Sequence, residues 1–231
     1  LGGQVVIAAR APSRDEFANC VRHLAAQVER LGVAVHLGVE VTPEKVTALK
    51  PDVVVIATGS VPLLPDLPGA DRANVFTPWQ VLTGEAELGE RVVVVDGGDN
   101  DAKFCSVADF LAERGKRVEM ITHLPSVGQF VENFNKFPIL QKLRSNGVIF
   151  TPFTLLTRIG DGFIVVSDPF TGETREIEAD SVVLAWYNRA DNALYRALQG
   201  KVEALHAIGD CVAPRRVLDA VREGFLLGRQ L

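Results

Sequence analysis

The sequence predicts an α/β fold built on parallel sheets and arranged as two similar units. Three observations carry this. Val92-Val93-Val94-Val95, the turn Asp96-Gly97-Gly98-Asp99-Asn100-Asp101, an amphipathic stretch over 106–114 closed by Gly115, and Val118-Glu119-Met120-Ile121 make a strand–helix–strand start. Val53-Val54-Val55-Ile56 and Val182-Val183-Leu184-Ala185 are short apolar runs of the kind buried on both faces of a parallel sheet. These two runs hold equivalent places in the two halves of the chain.

The elements follow in order. Residues 14–31 place apolar side chains at 17, 21, 24, 25, 28 and 31, a helical spacing stopped by Gly32. Val33-Ala34-Val35-His36-Leu37 reads as a short strand. Thr42-Pro43-Glu44 reads as an N-cap with proline in the first turn of a helix to about Leu49. The apolar strand at 53–56 runs into Ala57-Thr58-Gly59-Ser60, small residues that let a backbone or a flat ring approach a strand end. Pro62, Pro65, Pro68-Gly69 and Pro78 mark an irregular crossover and a candidate domain boundary. After the central strand–helix–strand unit come a helix over 140–147, a strand at 148–150, and a hairpin. The hairpin pairs Phe163-Ile164-Val165-Val166 with 173–177 across Asp168-Pro169-Phe170-Thr171-Gly172. A buried strand at 180–185, a polar joint at 188–192, a short helix near 193–198, a return strand from Leu205 and a last helix from about Arg216 complete the chain.

With 231 residues, 47% of them hydrophobic, the chain has material for a sizeable core. Net charge is −5 with acids and bases interspersed and no basic tract, which argues against nucleic acid as a partner. No apolar run approaches the roughly 18 residues that span a bilayer, so no membrane role is expected. Cys20, Cys105 and Cys211 lie far apart and form no local ligand set, which fits a reducing, cytoplasmic setting. His23, His36, His123 and His206 are not spaced as metal ligands, so no metal site is expected. Phe130, Phe134 and Phe137 stand at helix-like spacing and are assigned to the core by default, with packing against a part of the longer protein outside these residues as the alternative. The single methionine is Met120 and the chain opens Leu1-Gly2-Gly3-Gln4, so a fragment of a longer protein is expected.

Several short motifs recur in a fixed order: Leu1-Gly2-Gly3-Gln4, Ala57-Thr58-Gly59, Pro68-Gly69-Ala70, and Ile208-Gly209-Asp210-Cys211-Val212-Ala213-Pro214-Arg215-Arg216, followed by Leu218-Asp219-Ala220 and Arg222-Glu223-Gly224. Together they resemble the C-terminal dinucleotide-binding region of one NADH:flavin oxidoreductase family. That family includes 2,4-dienoyl-CoA reductase and trimethylamine, dimethylamine and histamine dehydrogenases, with an old yellow enzyme-type barrel at the N-terminus. The resemblance implies two Rossmann-like three-layer domains, the second inserted into the first as in glutathione reductase. A FAD-type domain would comprise residues 1–76 and 189–231, truncated at its N-terminus, and a NAD(P)H- or ADP-type domain residues 77–188.

The resemblance further implies FAD contacts from Gly2, Gly3, Gln4, Ala57, Thr58, Gly59, Gly209, Asp210 and Arg216. Asp210 would accept from a ribityl hydroxyl of the flavin, with the following helix pointing its N-terminus toward the ring. Gly97, Gly98, Asp99, Asn100 and Thr122 would line the second nucleotide site. No residue of this fragment is expected to be catalytic. FMN, a 4Fe–4S cluster and the barrel that holds them would belong to the absent N-terminal part, with a small-molecule substrate. Homo-oligomerisation is left open.

Departures from the family pattern set expectations of their own. The G-x-G-x-x-G that would anchor the FAD pyrophosphate is absent, so this chain alone should bind FAD poorly and be inactive. The central turn is about three residues longer than G-x-G-x-x-G allows. Asp96, Asp99 and Asp101 crowd the place of a pyrophosphate. At an effective dielectric of about 20, like charges 4 Å apart cost on the order of 4 kcal/mol. A helix dipole returns about 0.3–1 kcal/mol, so repulsion wins unless the acids turn away, with Lys103 able to offset one. Thr122-His123 stands where an acid would take the adenosine ribose, and Ala185-Trp186-Tyr187 stands where small residues would admit a nicotinamide. In the amine-dehydrogenase branch the corresponding domain holds ADP in place of a working nicotinamide, and these departures lean that way.

Overall fold

A computed structural model describes residues 1–98 and 102–231. In chain order the first elements are helices α1 (Gln4–Ala8), α2 (Phe17–Arg30) and α3 (Pro43–Leu49), strands β1 (Val53–Ile56), β2 (Ser60–Pro62) and β3 (Val75–Phe76), and helix α4 (Pro78–Thr83). Strand β4 (Arg91–Asp96), helix α5 (Ala102–Ala112), strand β5 (Arg117–Ile121), helix α6 (Asn133–Ser145) and strand β6 (Ile149–Thr151) follow. Then come β7 (Leu155–Ile159), β8 (Phe163–Ser167), β9 (Thr174–Glu178), β10 (Ser181–Ala185), β11 (Asn188–Ala190), α7 (Ala193–Leu198), β12 (Ala204–Ala207) and α8 (Val217–Gly228). The chain divides into two compact units, Leu1–Gly3 with Val21–Pro62 and Asn188–Leu231, and Gln4–Cys20 with Leu63–Tyr187.

The second unit is a three-layer sandwich. Its middle layer is a five-stranded parallel sheet in the order β3-β10-β4-β5-β6. Period-two alternation sends Val92, Val94, Val118, Met120, Val183 and Ala185 to a core shared with helical residues such as Phe104, Leu111 and Leu143. The intervening Val93, Val95, Ile121, Val182 and Leu184 face a second core with Ile159, Ile164, Val166 and Ile177. That second layer is the antiparallel meander β7-β8-β9, of which β7 was not foreseen. The expected hairpin forms, with the Asp168 carboxylate accepting from the N–H groups of Phe170 (2.8 Å) and Thr171 (3.0 Å). These bonds hold the Asp168 carboxyl below its ordinary value.

Helix α6 begins seven residues before the expected helix at Leu140 and carries Pro138 inside it. A proline there forfeits the bond to the Phe134 carbonyl, a loss tolerated near an exposed helix end. Phe130, Phe134 and Phe137 are 55%, 96% and 75% exposed, so the assignment of these rings to the core is corrected. Pro68-Gly69 packs tightly in this unit. Ile159 donates to the Pro68 carbonyl at 2.9 Å, and a Cβ on Gly69 (φ +89°) would lie 2.2 Å from the Ile159 oxygen.

In the first unit β1 pairs in parallel with β12, from Val53↔Ala204 to Ile56↔Ala207, and β2 pairs antiparallel with β11. A small core gathers Val46, Ile56, Leu198 and Cys211. Helix α3 starts as expected, with Lys45 N–H donating to the Thr42 hydroxyl at 3.4 Å and Pro43 in the first turn. Two expectations fail here. Strand β1 is parallel but not buried on both faces, since Val53 and Val55 are 38% and 39% exposed. Residues 33–37 form no strand, and Val33, Val35 and Leu37 are exposed, as are Val39 and Val41 beyond them. Alternation alone makes no strand: a ladder needs a partner, and among the described residues β1 and β12 pair only with each other. Helix α8 buries no residue, and Leu218 and Phe225 stand 71% and 62% exposed.

Candidate functional site

In an open parallel sheet a ligand sits beyond the carboxyl ends of the strands, where the strand order reverses. In the five-stranded sheet that point lies between β4 and β10. Gly97 and Gly98 follow β4, with Gly98 at φ +102°, and Ala185 leads into Trp186 and Tyr187. Asp99, Asn100 and Asp101 lie outside the described residues.

Asp96 does not crowd the turn. It is 4% exposed, and one carboxylate oxygen accepts from the Thr122 hydroxyl at 2.6 Å while the other accepts from Gly98 N–H at 2.9 Å. Thr122 is 1% exposed and also accepts from Leu124 N–H at 3.1 Å, which knits the ends of β4 and β5 together. A buried carboxylate is tolerable only when so bonded.

The crevice is spanned by the protein itself. Gly97 N–H donates to the Ala185 carbonyl at 3.1 Å and Lys103 Nζ to the Trp186 carbonyl at 2.8 Å. A Cβ added to Gly97 would lie 2.7 Å from both the Cα and a ring carbon of Trp186. One added to Gly98 would lie 2.7 Å from the Tyr187 hydroxyl and 3.3 Å from His123 Cε1. Of the acids that Lys103 was expected to offset, Asp99 and Asp101 lie outside the described residues.

In the first unit the ends of β1 and β12 meet side by side. Gly59 and Gly209 take positive φ (+79° and +69°). Asp210, half-buried, accepts from the Ser60 hydroxyl at 3.3 Å and from Arg215 N–H at 3.1 Å, and Asn188 donates to Ser60 at 3.2 Å. The Thr58 hydroxyl donates to the Asp191 carbonyl. Gly209 N–H donates to Glu223 at 2.6 Å, and Glu223 also pairs with the Arg215 guanidinium. The Gly209 N–H, and after it Arg215, hold the Glu223 carboxyl below its ordinary value. Arg216 caps α8, its N–H donating to Asp219 at 3.3 Å, and its side chain is exposed. Gly2 and Gly3 sit at positive φ, and Gln4, which opens α1, belongs to the second unit.

Ala57, Thr58, Gly59, Gly209 and Asp210 thus converge on one pair of strand ends. Ser60 and Glu223 complete the cluster and were not read as site residues. Their signal was present, since Ser60 closes the small-residue run and Glu223 lies one helical turn beyond Asp219. A carboxylate that accepts two hydrogen bonds keeps lone pairs for a further donor.

A model of the pyridine nucleotide-disulphide oxidoreductase family matches residues 15–224. The chain belongs to this family. It is 33% identical to the NADH oxidase of Thermoanaerobacter brockii, across 100% of the chain and 36% of that protein. It is also 33% identical to the N,N-dimethylglycine/sarcosine dehydrogenase of Chromohalobacter salexigens, across 99% of the chain and 35% of that protein. Among solved structures, a 2-naphthoyl-CoA reductase in complex with 2-naphthoyl-CoA superposes with a TM-score of 0.93 and 29% identity, over 100% of the chain and 34% of that protein. The resemblance to the 2,4-dienoyl-CoA reductase and trimethylamine dehydrogenase type is therefore sound, as is the Rossmann-like FAD/NAD(P)-binding fold. The chain spans about a third of the length of these relatives. Among the described residues no helix is long and apolar enough to cross a membrane.

Proposed function

We propose that this chain is the dinucleotide-binding part of a longer, cytoplasmic flavin-dependent oxidoreductase. It would pass electrons between FAD and NAD(P)H on one side and an FMN barrel with a 4Fe–4S cluster on the other. Residues 1–76 and 189–231 are assigned to FAD and residues 77–188 to NAD(P)H or ADP. One observation carries the FAD assignment. Asp210, held by Ser60 and Arg215, stands at the paired ends of β1 and β12 beside Gly59 and Gly209. The exposed apolar faces of β1, α8 and residues 33–41 support a further segment packing on this unit.

Residues 1–52 hold no G-x-G-x-x-G turn for the FAD pyrophosphate. The purified chain should therefore be colourless and hold FAD weakly; a yellow preparation with stoichiometric FAD would overturn this account. In the longer protein, anaerobic titration with NADH or NADPH should bleach the flavin, and absence of bleaching with both would sink the nicotinamide assignment. A second reading, an ADP-holding or vestigial inserted unit that transfers no hydride, is favoured by one feature. The crevice between β4 and β10 is occupied by Trp186 and Tyr187.

A further inference from the structure

The backbone turns directly after β12. Gly209 is buried at φ +69°, and a Cβ there would lie 3.4 Å from the Cβ of Ala220 in α8. Val212 N–H closes the turn on the Gly209 carbonyl at 3.0 Å, and the Cys211 thiol donates to the Ile56 carbonyl of β1 at 3.2 Å. The Gly209 N–H goes to a side chain, donating to Glu223 Oε2 of α8 at 2.6 Å.

Glu223 thereby holds Asp210 from both directions along the chain. Its Oε2 takes the N–H of the residue before Asp210, and its Oε1 pairs with the Arg215 guanidinium. Arg215 in turn donates its own N–H to Asp210 Oδ1 at 3.1 Å, while Ser60 donates to Asp210 Oδ2 at 3.3 Å. The two Glu223 links differ in weight. The Arg215 side chain is 39% exposed, so its ion pair is screened by solvent. The bond from the buried Gly209 N–H is charge-assisted, which makes it the stronger hold.

We propose that Glu223 is a positioning residue, which fixes the Gly209–Asp210 turn so that the Asp210 carboxylate meets a ribityl hydroxyl of FAD in a set orientation. The inference rests on the FAD reading of this unit. Glu223 acts through Asp210 and not on the flavin itself.

The test uses the longer protein stripped of FAD, with FAD rebinding measured by equilibrium dialysis and folding by urea midpoints. Asp210→Ala removes the acceptor and should weaken FAD binding about tenfold or more, as for a lost bond to a charged group. Glu223→Met keeps the length and helix propensity of the side chain but removes its acceptor. It should weaken FAD binding about fivefold or more. Glu223→Gln keeps an acceptor for the Gly209 N–H and should return the affinity to within about twofold of wild type. Because Glu223 works through Asp210, Glu223→Met in the Asp210→Ala background should cost less than about twofold more. A merely structural role would lower FAD affinity in both backgrounds alike. Should Glu223→Met fail to fold, Glu223→Ala takes its place in both comparisons. Weaker FAD binding by Asp210→Ala, combined with unchanged binding by Glu223→Met, no recovery in Glu223→Gln or fully additive losses, overturns the positioning role alone. An Asp210→Ala protein that binds FAD as wild type does overturns the FAD assignment of Asp210, and the positioning role with it.

Discussion

The Thr122 hydroxyl donates to the Asp96 carboxylate at 2.6 Å, joining the ends of two neighbouring parallel strands in a buried position. Both side chains stand at the strand ends where a nucleotide would bind, and both are turned inward instead. Replacing Thr122 with valine keeps the shape and removes the donor, leaving Asp96 with one bond fewer. The cost should be about 1–3 kcal/mol, read from urea midpoints, and Thr122→Ser should recover most of it. A Thr122→Val protein as stable as wild type would show that Asp96 does not depend on this bond.

Gly69 and Gly115 both take positive φ (+89° and +77°), yet they should respond differently to alanine. A Cβ at Gly69 meets the backbone carbonyl of Ile159 at 2.2 Å, whereas one at Gly115 meets nothing within 4 Å. Gly115→Ala carries only the left-handed backbone penalty, about 1–2 kcal/mol. Gly69→Ala adds a clash that must shift β7 or the crossover, for a total of about 2–4 kcal/mol. Equal losses in chemical denaturation would refute the close approach at Gly69.

Asp180 anchors the start of β4. It accepts from the Arg91 guanidinium at 2.5 Å and from Arg91 N–H at 2.8 Å, which lower its pKa from 3.8 to about 2. A carboxyl depressed in the folded state adds stability that is present above its unfolded value and lost as pH falls through the folded one. The stability gap between wild type and Asp180→Asn should thus be full near pH 5 and shrink between about pH 4 and 2. A gap that does not change across that window would mean the Arg91 contact does not perturb Asp180.

What the sequence disclosed was whatever repeats locally. The β4–α5–β5 unit, the Asp168 hairpin and the Thr42 cap could be read because their signals lie within a few residues of one another. The couplings that define the candidate site could not: Asp96 and Thr122 are 26 residues apart, and Lys103 and Trp186 are 83 apart. Residues 33–37 misled for a related reason. Their alternation describes a strand face, but hydrogen bonds to a neighbour make the strand, and no described segment supplies one. The run of small residues at the end of β1 was visible in the sequence, whereas the ion pair of Glu223 with Arg215 depends on the fold of the loop after β12.

The phenylalanines in and just before α6 show where spacing and burial part company. Helix-like intervals placed Phe130, Phe134 and Phe137 in the core, but the helix turns its buried side toward α5 through Leu143, which is fully buried, and leaves Phe134 almost fully exposed. Leu143→Ala should therefore remove about 2–5 kcal/mol through lost contacts and a residual cavity. Phe134→Ser should change stability by less than about 0.5 kcal/mol while lowering the binding of a hydrophobic dye. The same substitution in the longer protein separates a free surface from a covered one. If another segment packs on Phe134 there, the loss rises to about 3 kcal/mol, as for a buried aromatic ring, and the dye response disappears.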